Sequence, residues 1–299
     1  MNIFLTGANG FVGGSVATRL IKAGHAVRGL VRDPKKAEQL KALGIEPVIG
    51  SLDDHDLLVA EARNADAVID AANSDHAGAV ESFIEALKGS NKVLIHTSGS
   101  SIIGDDAQGN YLSDNIFDED TPFIVEALKQ PRYDIDLRMM KAANEGIRTV
   151  VICPSNIYGV GGGLTDHSFQ LPFLIARARE TGVVRIVGKG VNSWSNVHIE
   201  DVAELFLLAL QKAPAGAFYF IENGEASFAE IGAALAERMG LGPVQSWPVE
   251  EAAKHWGEMH AHYTFGTNSR VIAKRARAEL GWAPRNSSIL NWVKTEMPL

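Results

Sequence analysis

The stretch Thr6–Gly13 reads TGANGFVG and directly follows the apolar, β-branched run Asn2–Thr6, which predicts a buried strand. A segment of helical period begins just after Gly10. Glycine at positions Gly7, Gly10 and Gly13 allows a tight turn, close approach of a pyrophosphate to the backbone, and packing of the helix on the strand. The helix N-terminus offers free N–H groups to a phosphate. The stretch therefore predicts a strand–turn–helix unit that binds a dinucleotide.

Outward from this unit, short β-rich runs alternate with segments of helical period, which is typical of a parallel sheet covered on both faces. The predicted strands are Asn2–Thr6, Ala26–Arg32, Glu46–Ile49, Ala67–Ala71, Lys92–Thr97 and Thr149–Cys153. The predicted helices between them are Phe11–Ala23, Pro34–Leu43, Asp54–Ala62, Ala77–Lys88 and Arg132–Glu145. We expect an α/β protein with a Rossmann-type doubly wound parallel sheet in residues 1–156, completed by about 192–222. A smaller, mostly helical C-terminal substrate lid is expected in residues 157–191 and 223–299.

Composition narrows the classes of function. The chain has 299 residues and is 46% hydrophobic, which is enough to bury a large core. Its net charge of −8 and its lack of a long Lys/Arg run argue against nucleic-acid binding. No apolar run approaches the ~20 residues of a membrane span, and the N-terminus lacks the pattern of a secretory signal. We therefore expect a cytoplasmic protein, without a membrane partner, that acts on a small-molecule substrate.

Arg32 stands at the end of the second predicted strand, where an NAD site places an acidic residue on the ribose. A guanidinium at this position suits the 2′-phosphate of NADP(H), and Lys36 adds positive charge. Asp33 partly offsets that charge, and Arg32 is also consistent with a solvated strand end. NADP(H) is the predicted cofactor, and NAD(H) stays open as the alternative. Further predicted cofactor contacts from these strand ends are Thr6, Gly7, Asn9, Gly10, Phe11, Val12, Gly13, Leu52, Asp53, Ala71, Ala72 and Asn73.

Six segments together resemble the extended and atypical short-chain dehydrogenase/reductase families, including the NAD-dependent epimerase/dehydratases and the dihydroflavonol reductases. They are Thr6–Gly13, Val31–Pro34, His96–Gly104, Pro154–Gly159, Trp194–Ala203 and Glu279–Pro284. The resemblance covers nearly the whole chain and is specific for the superfamily but not for a substrate. It implies a homodimer as in many relatives, and it adds these cofactor contacts: Thr97, Ser98, Pro154, Ser155, Asn156 and Ile157.

These families use a Tyr that passes a proton, a Lys four residues later, and a Ser or Thr that orients the substrate oxygen. Ser98 is the best match to the orienting hydroxyl, with Ser100 second. The Tyr-x-x-x-Lys pair is missing, because none of the five tyrosines has a Lys four residues later. Counting back from Pro154 places Arg132 at the lysine position and Leu128 at the tyrosine position. Arg132 and the neighbouring Tyr133 are the remaining candidates for these roles.

Three functions stay open. The first is an NADP(H)-dependent oxidoreductase that acts on the carbonyl or hydroxyl group of a small aldehyde or ketone with a degenerate Tyr-x-x-x-Lys site. The second is a nucleotide-sugar epimerase or dehydratase, whose diphosphate would meet Arg270, Lys274 and Arg275. The third is a non-catalytic NADP-binding redox sensor, which the missing pair favours. A His-rich patch lacks a recognised metal-ligand spacing, so no metal is predicted and a role in the lid or an interface is expected: His255, His260 and His262.

Overall fold

The computed structural model describes residues 1–298. Its strands are β1 (Asn2–Leu5), β2 (Ala26–Val31), β3 (Glu46–Ile49), β4 (Ala67–Asp70), β5 (Val93–Thr97), β6 (Arg148–Pro154), β7 (Asn156–Tyr158), β8 (Arg185–Val187), β9 (Ser193–His198), β10 (Ala217–Ile221), β11 (Glu225–Ser227) and β12 (Gln245–Trp247). Its helices are α1 (Phe11–Lys22), α2 (Pro34–Ala42), α3 (His55–Asn64), α4 (Ala77–Leu87), α5 (Gln130–Ala142), α6 (Gln170–Thr181), α7 (Ile199–Lys212), α8 (Phe228–Arg238), α9 (Val249–Trp256), α10 (Lys274–Leu280) and α11 (Ile289–Thr295). Short 3₁₀ turns cover Ser100–Ile103 and Ala143–Glu145, and a π-helical turn covers Met259–Thr264.

Seven of these strands form one parallel sheet in the order β10-β6-β5-β4-β1-β2-β3. This arrangement confirms the predicted Rossmann-type sheet. The chain order reverses where β1 lies between β2 and β4, and in open α/β sheets a crevice forms at such a point outside the carboxyl ends of the strands. The crevice is where a ligand is expected.

The central strands of this sheet are nearly continuous apolar runs because helices cover both faces. One buried layer joins the sheet to α1, α2, α7 and α10, with Leu20 and Phe206 among its members. The other joins the sheet to α3, α4 and α5, with Phe83 and Met139 among its members. The single cysteine, Cys153, is buried in β6, as its apolar context predicts.

A second part of the chain surrounds its own apolar core, which includes Tyr158, Trp194, Phe228 and Trp247. It contains α6, α8, α9 and α11, together with a three-stranded sheet in the order β11-β9-β7 and a two-stranded sheet of β12 and β8. The expected helical lid therefore also carries short strands. Strand β9 belongs to this part, whereas α7 and β10 return to the main sheet. None of the helices described is long and apolar enough to cross a bilayer.

Asp201, near the start of α7, ties the C-terminal segment to the main domain. Its carboxylate accepts hydrogen bonds from the backbone N–H groups of Arg285 (2.8 Å) and Asn286 (3.0 Å). Its carbonyl oxygen accepts the indole N–H of Trp282 at 2.9 Å. We call these contacts the Asp201 clamp. They join the Trp194–Ala203 motif to Trp282 of the Glu279–Pro284 motif and to the two residues that follow it, and Asp201 itself is 5% exposed.

Replacement of Asp201 by Ala is expected to lower the free energy of unfolding by about 2–4 kcal/mol, because two backbone N–H groups lose a buried carboxylate as their acceptor. Urea unfolding followed by circular dichroism measures the change. Glu200→Ala, at the exposed neighbour, is the matched control and should cost less than about 1 kcal/mol. Equal losses for the two variants would contradict the clamp.

Candidate active site

A groove of about 430 Å³ runs along the carboxyl ends of β1, β2 and β4. It continues into a cavity of about 650 Å³. The two share Gly10, Ala71 and Ala72, so one ligand can extend from the groove into the cavity. The cavity lies between the main sheet and the second part of the chain, since its walls include Trp194 and Tyr263.

The turn before α1 fits a pyrophosphate. Gly7 has a φ of +73°, and a Cβ there would lie 2.5 Å from the carbonyl oxygen of Ala71. A Cβ on Gly13 would lie 2.3 Å from the carbonyl oxygen of Gly7, so helix and turn touch through backbone alone. Gly10 caps α1 without a side-chain hydrogen bond, and the first turn carries no acidic residue. The backbone N–H groups in the first turn of α1 therefore have no side-chain partner among the residues that the structure describes. Together with the positive end of the helix, they suit the phosphates of a dinucleotide.

Arg32 lines the far end of the groove, beyond the end of β2, together with Leu52 and Asp53. Its side chain is exposed and makes no ion pair within residues 1–298. Asp33 uses its carboxylate to cap α2 through the N–H of Lys35 at 2.8 Å. The Asp53 carboxylate lies 3.1 Å from Nε2 of His76. A guanidinium free of carboxylate partners is therefore available to an anion in the groove.

Arg132 on α5 reaches the cavity and is held from two sides. Its Nε and Nη2 donate to the two oxygens of Asp75 at 2.8 and 2.6 Å. Its Nη1 donates to the hydroxyl of Ser101 at 3.1 Å. The guanidinium holds the pKa of Asp75 below its usual value. Because Ser101 accepts this bond, its own proton is free to point toward a substrate oxygen.

Residues 3–221 match the sequence profile of the NAD dependent epimerase/dehydratase family. The chain belongs to this family. An uncharacterized protein of Schizosaccharomyces pombe is 33% identical over 304 residues, which cover 97% of each chain. A 4-hydroxy-2-methyl-3-oxo-4-farnesyl-3,4-dihydroquinoline-1-oxide ketoreductase of Stigmatella aurantiaca is 27% identical over 95% of this chain and 92% of its own. The NAD complex of dTDP-glucose 4,6-dehydratase from Bacillus anthracis superposes with a TM-score of 0.77 at 17% identity, covering 99% of this chain and 95% of that one.

Family membership confirms the predicted superfamily. Together with the reductase-named relatives, it supports an NAD(P)-dependent oxidoreductase of the extended short-chain dehydrogenase/reductase kind. The structural likeness, at its low identity, shows the fold alone.

Most cofactor residues predicted for this epimerase/dehydratase-family protein face the groove or the cavity. Those that line them are Gly7, Asn9, Gly10, Phe11, Val12, Arg32, Leu52, Asp53, Ala71, Ala72, Asn73, Pro154, Ser155 and Ile157. Those that do not are Thr6, Gly13, Lys36, Thr97, Ser98 and Asn156. Thr6 and Gly13 shape the turn from behind, and Lys36 points to solvent from α2.

Two predicted catalytic side chains do not reach the cavity. Ser98 is 4% exposed, and its hydroxyl donates to Asp136 at 2.6 Å beneath α5. Its N–H still pairs with Ile152 of β6, so the strand alternation turns the side chain inward. Tyr133 packs on Phe123 with ring centroids 5.2 Å apart. Consecutive helix residues point about 100° apart, so Tyr133 cannot share the face of Arg132.

Within the segment that follows β5, the hydroxyls that line the cavity belong instead to Ser100 and Ser101, in the 3₁₀ turn. The hydroxyl of Ser100 is engaged with that of Ser269 at 2.7 Å. Ser101 is partly exposed and is held only by Arg132. Of the four hydroxyl residues in His96–Ser101, Ser101 is therefore the one available to orient a substrate oxygen.

Lys129 and Tyr263 also line the cavity, and the family motif did not point to them. Lys129 lies three residues before Arg132, and this helical spacing is the signal that could have found it. Tyr263 belongs to the π-helical turn that crosses the His-rich patch. Only the return of the C-terminal segment over the sheet brings it to the site, and no local sequence pattern encodes that contact.

The His-rich patch contributes one side chain to the cavity. His260 lines it and packs between Phe169 and Phe173, with ring centroids 4.9 and 5.1 Å away. His262 pairs with Glu258 at 3.0 Å, and His255 lies against Trp247. Across the described part of the chain, no group of three or more His, Cys, Asp or Glu side chains is arranged to hold a metal ion.

Asp136 is fully buried directly under the site. It accepts the Ser98 hydroxyl with one carboxylate oxygen, and its other oxygen has no hydrogen-bond partner. Burial raises its pKa from 3.8 to about 6, against the opposing effects of Ser98 and of the positive charges nearby. A carboxyl whose pKa is higher in the folded protein than in the unfolded protein stabilises the fold at pH values below its pKa in the unfolded protein. This stabilisation is lost as pH rises through its pKa in the folded protein.

We expect wild-type protein to lose on the order of 3 kcal/mol of unfolding free energy through this group between about pH 4 and pH 7. Asp136→Asn cannot titrate, so its stability should depend less steeply on pH over the same window. Urea unfolding at several pH values measures both slopes. Asp134→Asn, exposed on the same helix, is the control and should keep the wild-type slope. Parallel curves for wild type and Asp136→Asn would contradict the assignment.

Proposed function

We propose that this chain is an NADP(H)-dependent oxidoreductase that acts on the carbonyl or hydroxyl group of a small aldehyde or ketone. The observation that carries the proposal is the Ser101 hydroxyl, held by Arg132 in the cavity that continues the cofactor groove. A hydroxyl with its proton free, beside a fixed cation, suits a carbonyl oxygen that gains negative charge.

The nicotinamide cofactor supplies the hydride when it is bound. The chain contributes the turn at Gly7 for the pyrophosphate and Arg32 for a 2′-phosphate. Residues on β6 and after it, including Pro154 and Ile157, line the cavity where the nicotinamide ring would lie. Ser101 then orients the substrate oxygen, and Arg132 keeps Ser101 in place.

The cavity walls support a substrate with an aromatic or otherwise apolar body. Phe169, Trp194, Met259 and Tyr263 all face the cavity. Flat aromatic walls favour ring stacking and exclude water from the reacting oxygen. The similarity to a ketoreductase from Stigmatella aurantiaca agrees with a carbonyl substrate of this kind.

The nucleotide-sugar alternative has less support. Arg270 pairs with Glu225 at 2.9 Å, and Lys274 pairs with Asp120 at 2.7 Å. Arg275 also pairs with Asp120. None of the three lines the cavity. The cations that would have met a diphosphate are thus engaged elsewhere, and binding them to a substrate would require breaking these ion pairs.

A screen of carbonyl compounds with NADPH tests the proposal. We expect oxidation of NADPH, followed by its absorbance, with aromatic aldehydes and ketones. We expect no conversion of UDP-glucose or dTDP-glucose, which is followed by NMR of the sugar because epimerisation and dehydration return the cofactor to its starting state. Turnover of the nucleotide sugars alone would contradict the substrate class. Tight binding of NADPH without turnover of any carbonyl compound would favour the redox sensor.

Replacing Arg32 by Glu should raise the Kd for NADPH by about ten-fold or more and change the Kd for NADH much less, because a 2′-phosphate would lose its cation. Isothermal titration calorimetry with both cofactors measures this. Lys36→Glu is the matched control: it makes the same change of charge nearby, outside the groove lining. Equal losses of NADPH and NADH affinity in Arg32→Glu would contradict the assignment.

A further inference from the structure

Lys129 is a partly buried cation in the cavity wall without a carboxylate partner. Its ammonium lies 3.6 Å from the sulfur of Met259 and 5.7 Å from the ring centroid of Tyr263. No carboxylate forms an ion pair with it in the part of the chain that the structure describes. A thioether and an aromatic face accept protons weakly, so the ammonium keeps N–H groups free for another acceptor.

Arg132, the neighbouring cation, is unsuited to give up a proton. Its guanidinium forms a two-fold contact with Asp75 and a third bond to Ser101. A guanidinium stays protonated throughout the range in which proteins function. Arg132 is therefore a fixed positive charge that positions Ser101, and the proton that a reduced carbonyl oxygen requires must come from elsewhere.

The groups around Lys129 favour release of its proton. Burial lowers the pKa of Lys129, the charge of nearby Arg132 lowers it further, and Asp75 opposes them. The π-helical turn across the cavity adds His260, whose pKa is lowered by burial and by Lys129, and the phenol of Tyr263. A donor whose pKa approaches the working pH transfers protons more effectively than one far above it.

We propose that the ammonium of Lys129 is the proton donor of the reaction, in place of the Tyr that the family motif leads one to expect. The proposal rests on the proposed function above. In reduction, the hydride supplied by NADPH forms a C–H bond at the carbonyl carbon, and the π electron pair moves to the oxygen. The oxygen takes a proton from Nζ of Lys129, giving an alcohol and NADP⁺. Water then reprotonates the neutral amine.

Tyr263 is the competing donor, and the two can be separated. Its ring lies under the ammonium of Lys129, and Tyr263→Phe keeps that ring while removing the hydroxyl. If Lys129 donates, this variant should change KM and lower kcat by less than about ten-fold.

Lys129→Met should lower kcat by about 100-fold or more while leaving the Kd for NADPH within about two-fold of wild type. Lys129→Arg keeps the charge but holds its proton, so it should not restore the rate. Lys141→Met, exposed on the same helix, is the matched control and should turn over like wild type. The assay uses a carbonyl compound that the wild-type protein reduces.

A second measurement is independent of turnover. Competitive acetylation over a range of pH, read by mass spectrometry, gives the pKa of each lysine in the folded protein. The pKa of Lys129 is expected to lie below the ordinary value of an exposed lysine. An ordinary lysine value for Lys129 would overturn the proposal.

The kinetic outcomes separate the two hypotheses. The role of Lys129 is overturned if Lys129→Met keeps wild-type turnover, if Lys129→Arg restores it, or if Tyr263→Phe abolishes it. Each of these outcomes leaves the proposed function intact. Absence of turnover by the wild-type protein with every carbonyl compound overturns both. Loss of turnover in Lys129→Met and Lys129→Arg alone, with NADPH binding retained, supports the proposal.

Discussion

A buried hydrogen-bond network at the ends of three neighbouring strands positions everything that follows. The hydroxyl of Thr6 donates to Asp70 at 2.6 Å and accepts the N–H groups of Ala71 and Ala72 at 3.1 and 3.2 Å. The other oxygen of Asp70 lies 2.9 Å from Nδ1 of His96. These residues join the carboxyl ends of β1, β4 and β5 at the switch point of the sheet. The glycine turn, the groove and the cavity all begin there, so the network sets where a cofactor would lie relative to a substrate.

Above this network, two cations at the start of α5 line the cavity: Lys129, the residue that caps the helix, and Arg132 in its first turn. The guanidinium of Arg132 donates hydrogen bonds to Asp75 and Ser101. These bonds hold the loop after β4 and the turn after β5 against the helix. Lys129, three residues earlier, keeps its ammonium unpaired beside Met259. Under the proposed mechanism, Arg132 supplies the fixed charge and Lys129 the proton, whereas the family motif would assign proton transfer to a Tyr–Lys pair.

The sequence was sufficient for the sheet, because its central strands are apolar runs buried on both faces and helical segments separate the strands. It was also sufficient to bring Gly7 and Arg32 to the groove, since their positions at strand ends follow from the strand–turn–helix pattern. It was insufficient at Ser98, because the direction of consecutive hydroxyls after a strand depends on where pairing with β6 stops. It was insufficient at Tyr263 as well, because long-range packing of the C-terminal segment creates that contact.

The central claim is that the protein reduces a carbonyl group with NADPH. Its most direct test is whether hydrogen moves from nicotinamide C4 to the carbonyl carbon. Wild-type protein would be incubated with an aromatic aldehyde and NADPH carrying deuterium at nicotinamide C4, separately for each of the two C4 stereoisomers. Mass spectrometry of the alcohol is predicted to show one deuterium on the carbon that bears the hydroxyl, with one stereoisomer only. NADPH that binds tightly but transfers no deuterium to any carbonyl compound would contradict the account.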